Sequence, residues 1–269
     1  MFNLNFRWMK GKTLRLSIVL MFAINSYGQS GQDGNISWSI TDSVLTISSD
    51  SEYGGMRDYS HPDNYAPWYT YRDLFKKIVI EEGVTIIGRW AFYGCNSLIE
   101  VEMASTVTNI WHNAFSRCRN LKDVQLSNGL LYLGSDVFSG CSSLMNIEIP
   151  EGIRHIFGYA FFNCVSLERI KIPNSVTKIH ELAFGGCTSL MSVEMSNSLT
   201  SIGSYAFSSC ISLTDIRIPN SVIEIGEKAF NSCTGLTNIE IPNGVTTISR
   251  YVFSGCTSLT SIEIPNSVR

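Results

Sequence analysis

Histidine is scarce in this 269-residue sequence, and so is charge: there are four histidines, and charged residues make up 16%. His61, His112, His155 and His180 stand at no metal-ligand spacing. The sequence has no G-x-S-x-G, no H-E-x-x-H and no glycine-rich phosphate cradle, so the familiar hydrolytic, zinc-dependent and nucleotide-dependent chemistries lack their residues. No two of the eight cysteines lie closer than 23 residues. That spacing removes the short ligand pairs of a zinc site, and no histidine recurs with the cysteines to activate a thiol. No cofactor is expected. Long apolar runs are missing as well: LSIVLMFAI (16–24) is too short to cross a bilayer as a helix.

That short run has a different meaning. Arg7, Lys10, Lys12 and Arg15 precede it without an acidic residue, and Ser26 and Gly28 follow at the positions a signal peptidase reads. Residues 1–28 are therefore expected to be a signal peptide cut before Gln29, giving a secreted or cell-surface protein with no membrane span in the mature chain. An uncleaved anchor fits less well, because the run is short and its C-terminal flank polar. No cysteine stands at the cut to carry a lipid. Removing the four basic residues of this segment leaves sixteen against twenty-three acidic ones, a formal charge of −7, which disfavours nucleic acid as a partner.

What the chain does have is a strict period. Cys95, Cys118, Cys141, Cys164, Cys187, Cys210, Cys233 and Cys256 are each 23 residues apart, and Phe92 to Phe253 and Leu98 to Leu259 recur in step. The consensus unit is L-x-x-I-x-I-P-x-x-V-T-x-I-G-x-x-A-F-x-x-C-x-x. Its L-x-x-I-x-I start alternates as a half-buried strand. P-N-S or P-N-G turns the chain, V-T-x-I is a second short extended stretch, and x-x-A-F-x-x-C leaves room for about one helical turn. A unit this small cannot bury its own apolar stripe, so units must stack and share one core. The cysteines then form a column whose Cβ vectors run side by side rather than facing each other. An exported location favours disulfides, but buried, reduced thiols are the expectation here.

LTSIEIPNSV (259–268), IPNSVTKIHELAFGGCTSL (172–190) and SLTSIGSYAFSSC (198–210) carry a resemblance: the chain resembles the BspA-like leucine-rich repeats of bacterial surface proteins from Phe75 to Arg269. GNISWSITDSVLTISS (34–49) and residues 65–95 also resemble the N-terminal module of that family, and YGQ resembles the end of Bacteroidetes export signals. The resemblance implies a repeat solenoid, a right-handed leucine-rich-repeat coil of 23-residue units made of short parallel strands and short helical turns. It also implies roles in adhesion and macromolecular recognition rather than catalysis. A β-hairpin, ISWSI and VLTIS around TDS, is expected to cap the first coil within an N-terminal module of residues 29–74, with a loop or short helix over 50–74. The solenoid is expected over 75–269. Its eight full coils start at 75, 98, 121, 144, 167, 190, 213 and 236, and a ninth begins at Leu259. That ninth stops without a polar cap, so the expectation is a fragment or truncated product whose raw end self-associates.

Function in such an array is sought where surface residues leave the consensus. The outward strand positions Glu148, Lys171, Glu194, Arg217 and Glu240 alternate in sign, which predicts a ladder of solvated ion pairs. Coils two to four carry Trp111, His112, Arg117, Arg119, Tyr132, Arg154, His155, Phe157 and Phe162 in place of bland residues. Tyr132 and His155 are equivalents one coil apart, as are Trp111, Gly134 and Phe157. The residue types suit a partner-binding patch, although drift within a repeat and inward packing of the rings would give the same sequence. The partner expected is an extracellular or host protein, with a matrix protein among the candidates. A glycan stacked on Trp111 and on the Trp and Tyr residues of the N-terminal module is the alternative.

Overall fold

The computed structural model describes residues 28–51 and 53–269; the expected signal segment, but for Gly28, lies outside the described residues. The strands are β1 (Gln29–Asp33), β2 (Ile36–Thr41), β3 (Val44–Ser49), β4 (Gly54–Gly55), β5 (Lys77–Ile80), β6 (Val84–Ile87), β7 (Glu100–Met103), β8 (Asn109–Ile110) and β9 (Asp123–Gln125). They continue as β10 (Tyr132–Leu133), β11 (His155–Ile156), β12 (Arg169–Lys171), β13 (Lys178–Ile179), β14 (Ser192–Glu194), β15 (Ser201–Ile202), β16 (Asp215–Arg217), β17 (Glu224–Ile225) and β18 (Asn238–Glu240).

The expected hairpin is β2–β3, turning through Asp42 and Ser43, both with positive φ. A third strand, β1, pairs antiparallel with β2. QSGQD has no apolar pattern to betray it; its only signal is Gly34, whose positive φ makes the tight turn. β3 then pairs in parallel with β5, so the hairpin continues the first ladder, β1-β2-β3-β5-β7-β9, and covers the end of coil one. The second ladder runs β4-β6-β8-β10 and resumes as β11-β13-β15-β17. Between the N-terminal module and coil one, the only helix among the described residues is a 3-10 turn at Tyr69–Tyr71.

The Ala-Phe segment is not the helical turn the sequence suggested. In coil four Tyr159 and Asn163 adopt φ of 59° and 57°. These left-handed residues aim alternate amides at the next coil: Tyr159 N donates to Glu181 O (3.0 Å), Phe161 N to Ala183 O (2.8 Å) and Asn163 N to Gly185 O (2.9 Å). Amides between them close local turns, as Cys164 N does on Phe161 O. A helical turn would spend these donors within its own chain, whereas this backbone makes a third intercoil ladder. That ladder offsets left-handed residues costing roughly 1–2 kcal/mol each.

Beneath it Phe92, Phe115, Phe138, Phe161, Phe184, Phe207, Phe230 and Phe253 form one stack, with neighbouring centroids 5.1–6.0 Å apart. Trp68 closes its N-terminal end, stacked on Phe92 at 5.5 Å with its indole N–H donating to Ala91 O (2.8 Å). The eight cysteines are free and buried. From Cys118 onward each Sγ donates to the carbonyl of the phenylalanine one coil back, from Cys118 to Phe92 O (3.0 Å) through to Cys256 to Phe230 O (3.1 Å). The column is thus more than apolar filling, since each thiol gives a buried carbonyl a second donor. Burial pushes up the thiols of Cys95, Cys141, Cys164, Cys210 and Cys256, and those of Cys187 and Cys233 to about 12, which keeps them protonated.

The ion-pair ladder is a second correction. Register sets Lys171 opposite Glu194 and Arg217 opposite Glu240, yet neither pair closes to 4 Å. Exposed side chains gain too little from pairing in water to give up their rotamer freedom. The β ladders are not continuous, and the first also opens between β14 and β16. Between coils three and four both β ladders open together: β9 is the last strand of its sheet, and β10 does not pair with β11. In several coils a threonine hydroxyl also bridges to the coil before, as Thr108 Oγ1 does to Thr85 O and Thr200 Oγ1 to Thr177 O, although Ile223 lacks it and β17 still pairs with β15. At the seam that position is Leu131, then Arg154. The Ala-Phe ladder alone continues unbroken, with Phe138 N on Ala160 O (2.9 Å).

Two outcomes follow from this core. In the folded protein the thiols are expected to resist a water-soluble thiol reagent and to react together only on denaturation, counted spectrophotometrically. Phe161→Ala is expected to cost about 3–5 kcal/mol, and Cys164→Ala about 1–2 kcal/mol, measured by urea titration.

Candidate functional site

The consensus glycine after V-T-x-I lies where consecutive coils touch. A Cβ on Gly134 would lie 2.6 Å from His112 N, and one on Gly203 2.6 Å from His180 C. Three coils place a ring at this position instead: Trp111, Phe157 and His180. Tyr132, two residues before Gly134, spans the gap that glycine leaves in the column. Its ring centroid lies 4.8 Å from Trp111 and 5.2 Å from Phe157, and Phe157 stacks on His180 at 5.3 Å. His155 joins from the strand, 5.6 Å from Phe157. A half-buried aromatic strip therefore crosses coils two to five along the second ladder. Across the open seam the Tyr132–Phe157 contact stands where backbone hydrogen bonds are missing. At the coil-one end, the Arg89 guanidinium sits 5.8 Å over the Trp111 ring.

His112 supports the strip from beneath. Ser135 N donates to its Nδ1 (2.9 Å), so the neutral ring carries its proton on Nε2, which faces Tyr132 Oη at 3.4 Å. His155 Nδ1 and His180 Nε2 are 3.2 Å apart and can share only one proton. Of the nine residues singled out from the sequence, Trp111, His112, Tyr132, His155 and Phe157 come together, and Arg154 stands exposed next to His155. Arg117, Arg119 and Phe162 do not join them. Arg117 lies 5.8 Å over Tyr93, Phe162 packs edge-on against Tyr159 at 5.6 Å, and Arg119 receives hydrogen bonds on its carbonyl from Ser142 and Ser143. The period runs on from Phe157 to His180, so a reading taken one coil further would have found that residue. Arg89 has no such signal, because its place over Trp111 depends on stacking.

A second aromatic group joins the N-terminal module to coil one. Tyr65 and Tyr69 stack at 4.0 Å, and Arg72 lies 4.3 Å over Tyr69. His61 sits 4.9 Å from Tyr93 and 6.2 Å from Trp90. Among the described residues no three His, Cys, Asp or Glu side chains are placed to hold a metal ion, and no helix is long and apolar enough to cross a membrane.

Three histidines in the strip have lowered pKa values, each through burial first. Arg89 adds to the effect at His112 against an opposing Asp58, Lys178 and Arg154 add to it at His155, and the neighbouring His155 and Lys178 at His180. The fold thus favours neutral rings, while the unfolded chain takes up protons near the ordinary 6.5. Their contribution is complete above that value and is lost as pH falls through it toward the lower folded values. The melting temperature is expected to drop between about pH 7 and pH 5, and replacing His155 and His180 by glutamine to flatten that slope in calorimetry.

The model for the BspA type leucine rich repeat region matches residues 68–191 and 156–269, in six copies. No curated protein matches the chain. Among solved structures it is similar to a leucine-rich repeat protein from Bacteroides ovatus, with 22% identity over 89% of each chain and a TM-score of 0.44. It is also similar to the pneumococcal vaccine antigen PcpA, with 17% identity over 90% of this chain and 92% of that one and a TM-score of 0.45. A third is a leucine rich cell surface protein from Faecalibacterium prausnitzii, with 22% identity over 87% and 94% and a TM-score of 0.33. With the matched residues spanning well over half its length, the chain belongs to the BspA-type leucine-rich-repeat family, surface proteins that act as binding scaffolds rather than as catalysts.

Proposed function

We propose that this is an exported recognition module that binds an extracellular protein, a host or matrix protein among them, through the aromatic strip of coils two to five. Residues 1–28 serve as its export signal, 29–74 as the cap and 75–269 as the solenoid. The observation that carries the reading is the run Trp111–Tyr132–Phe157–His180, ring on ring, flanked by the exposed Arg89 and Arg154. Half-buried aromatics held rigid by one another lose little entropy on docking, and arginine beside them matches the composition of binding hot spots. A solenoid also presents such a strip on a long surface that a globular partner can follow.

Glycan binding is the second reading. It is favoured by the Tyr65–Tyr69 stack and the His61, Trp90 and Tyr93 group, whose ring faces suit sugar stacking. The two readings separate on an array carrying extracellular-matrix proteins and glycans together. Protein binding that weakens by about tenfold or more in Trp111→Ala and His155→Ala, with melting temperature retained, is the expected result. Tyr132 is left intact because it spans the seam. Saturable binding of a small sugar that is lost in Tyr65→Ala and indifferent to Trp111→Ala would transfer the function to the N-terminal group.

A further inference from the structure

The seam between coils three and four has an outer side on the first ladder, away from the aromatic strip. There β9 is the terminal strand of a six-stranded sheet, and the backbone of Asp123–Gln125 on the side away from β7 meets no strand of coil four. The facing stretch of coil four, 146–148, forms no strand at all. A groove of about 580 Å³ occupies the gap, bordered by Asp123, Gln125, Asn128, Asn146, Glu148 and Glu151. Val124 and Ile147 stay buried in its floor. An open edge of this kind is a template for one more strand, which proteins ordinarily block with lysine, proline or a bulge. β9 itself carries none of those blocks; Lys122 stands just before it, outside the groove lining, and Pro150 lines the coil-four wall.

The charges around the groove also limit what could lie there. Three carboxylates and no cation border the groove. A second hollow of about 590 Å³ adjoins it through Gln125 and adds Glu81, Glu82 and Glu102, again without a cation in its lining. Lys77 already pairs with Glu102. Lys171, the cation next in register, lies in coil five beyond Glu148 and forms no ion pair within 4 Å. We infer that the seam is a docking groove for an extended segment of a partner polypeptide with lysine or arginine at alternate positions, which adds as a strand to β9. Backbone hydrogen bonds to the open edge would supply affinity. The alternate basic side chains would meet the carboxylates on the groove walls, since side chains of a strand alternate in direction.

The probe is a blocked peptide of about eight residues alternating lysine and valine, titrated into the purified protein and followed by amide hydrogen exchange. Expected are protection of the amides around Val124 and Ile147 and at least tenfold weaker binding by the same peptide N-methylated on alternate amides. A glutamate–valine peptide is expected not to bind, and Asp123→Lys with Glu148→Lys to weaken the lysine peptide at least tenfold. Equal binding by the N-methylated peptide would reduce the groove to unspecific charge attraction and overturn strand addition. Protection confined to the aromatic strip, or no binding at millimolar peptide, would overturn it as well. Apart from protection confined to the strip, these outcomes do not bear on the Trp111 rings, so this groove and the proposed recognition surface stand or fall separately.

Discussion

Every coil of this protein closes only local turns within itself and depends for its core on hydrogen bonds and side-chain stacks shared with the coils before and after it. A 23-residue unit has no independent core, so the intercoil ladders and the stacks beneath them must be satisfied at each step. The third ladder makes the constraint plain. Residues such as Tyr159, Leu182 and Lys228 accept positive φ because only that conformation turns alternate amides of the Ala-Phe segment toward the next coil. With the backbone so aligned, phenylalanines stack and each thiol reaches a carbonyl one coil back. The Ala-Phe-x-x-Cys spacing, with valine for alanine only at Val137 and Val252, is the side-chain record of that backbone geometry.

The same constraint decides where variation is tolerated. Inward positions repeat without relief, while a coil can change its outer face freely so long as its backbone still meets its neighbours. Where consensus glycine lets coils touch, Trp111, Phe157 and His180 put rings on the surface, and stacking turns separate substitutions into one strip. Between coils three and four both β ladders open, and the Ala-Phe ladder with the Tyr132–Phe157 contact carries the junction. The recognition surfaces proposed here are thus local departures from a period, and a departure that adds a side chain differs in kind from one that removes a hydrogen bond. The first makes a strip, the second a groove.

The strip and the groove also differ electrically. Arg89 and Arg154 flank the rings, whereas carboxylates border the groove on the first ladder. Two binding faces of opposite character on one short solenoid would let it hold two partners, or two parts of one. The lowered histidine pKa values belong to the strip and reflect burial among rings.

The repeat, its length, the buried cysteine column and the capping hairpin were legible in the sequence, because a strict period repeats the same physical demand eight times and leaves little else to satisfy it. Five of the nine surface residues gathered as the period implied, and His180 lay one period further on. The rest needed three dimensions. The Ala-Phe segment is a ladder and not a helical turn because its amides bond to another coil, which local propensity cannot register. Strand β1 forms on the edge of β2 although QSGQD has no apolar alternation, and the charges that alternate along the strands stay unpaired because water competes. Arg89 over Trp111 and the open seam at Leu131 are facts of stacking: the sequence sets which residues recur, and the contact between coils decides which of them meet.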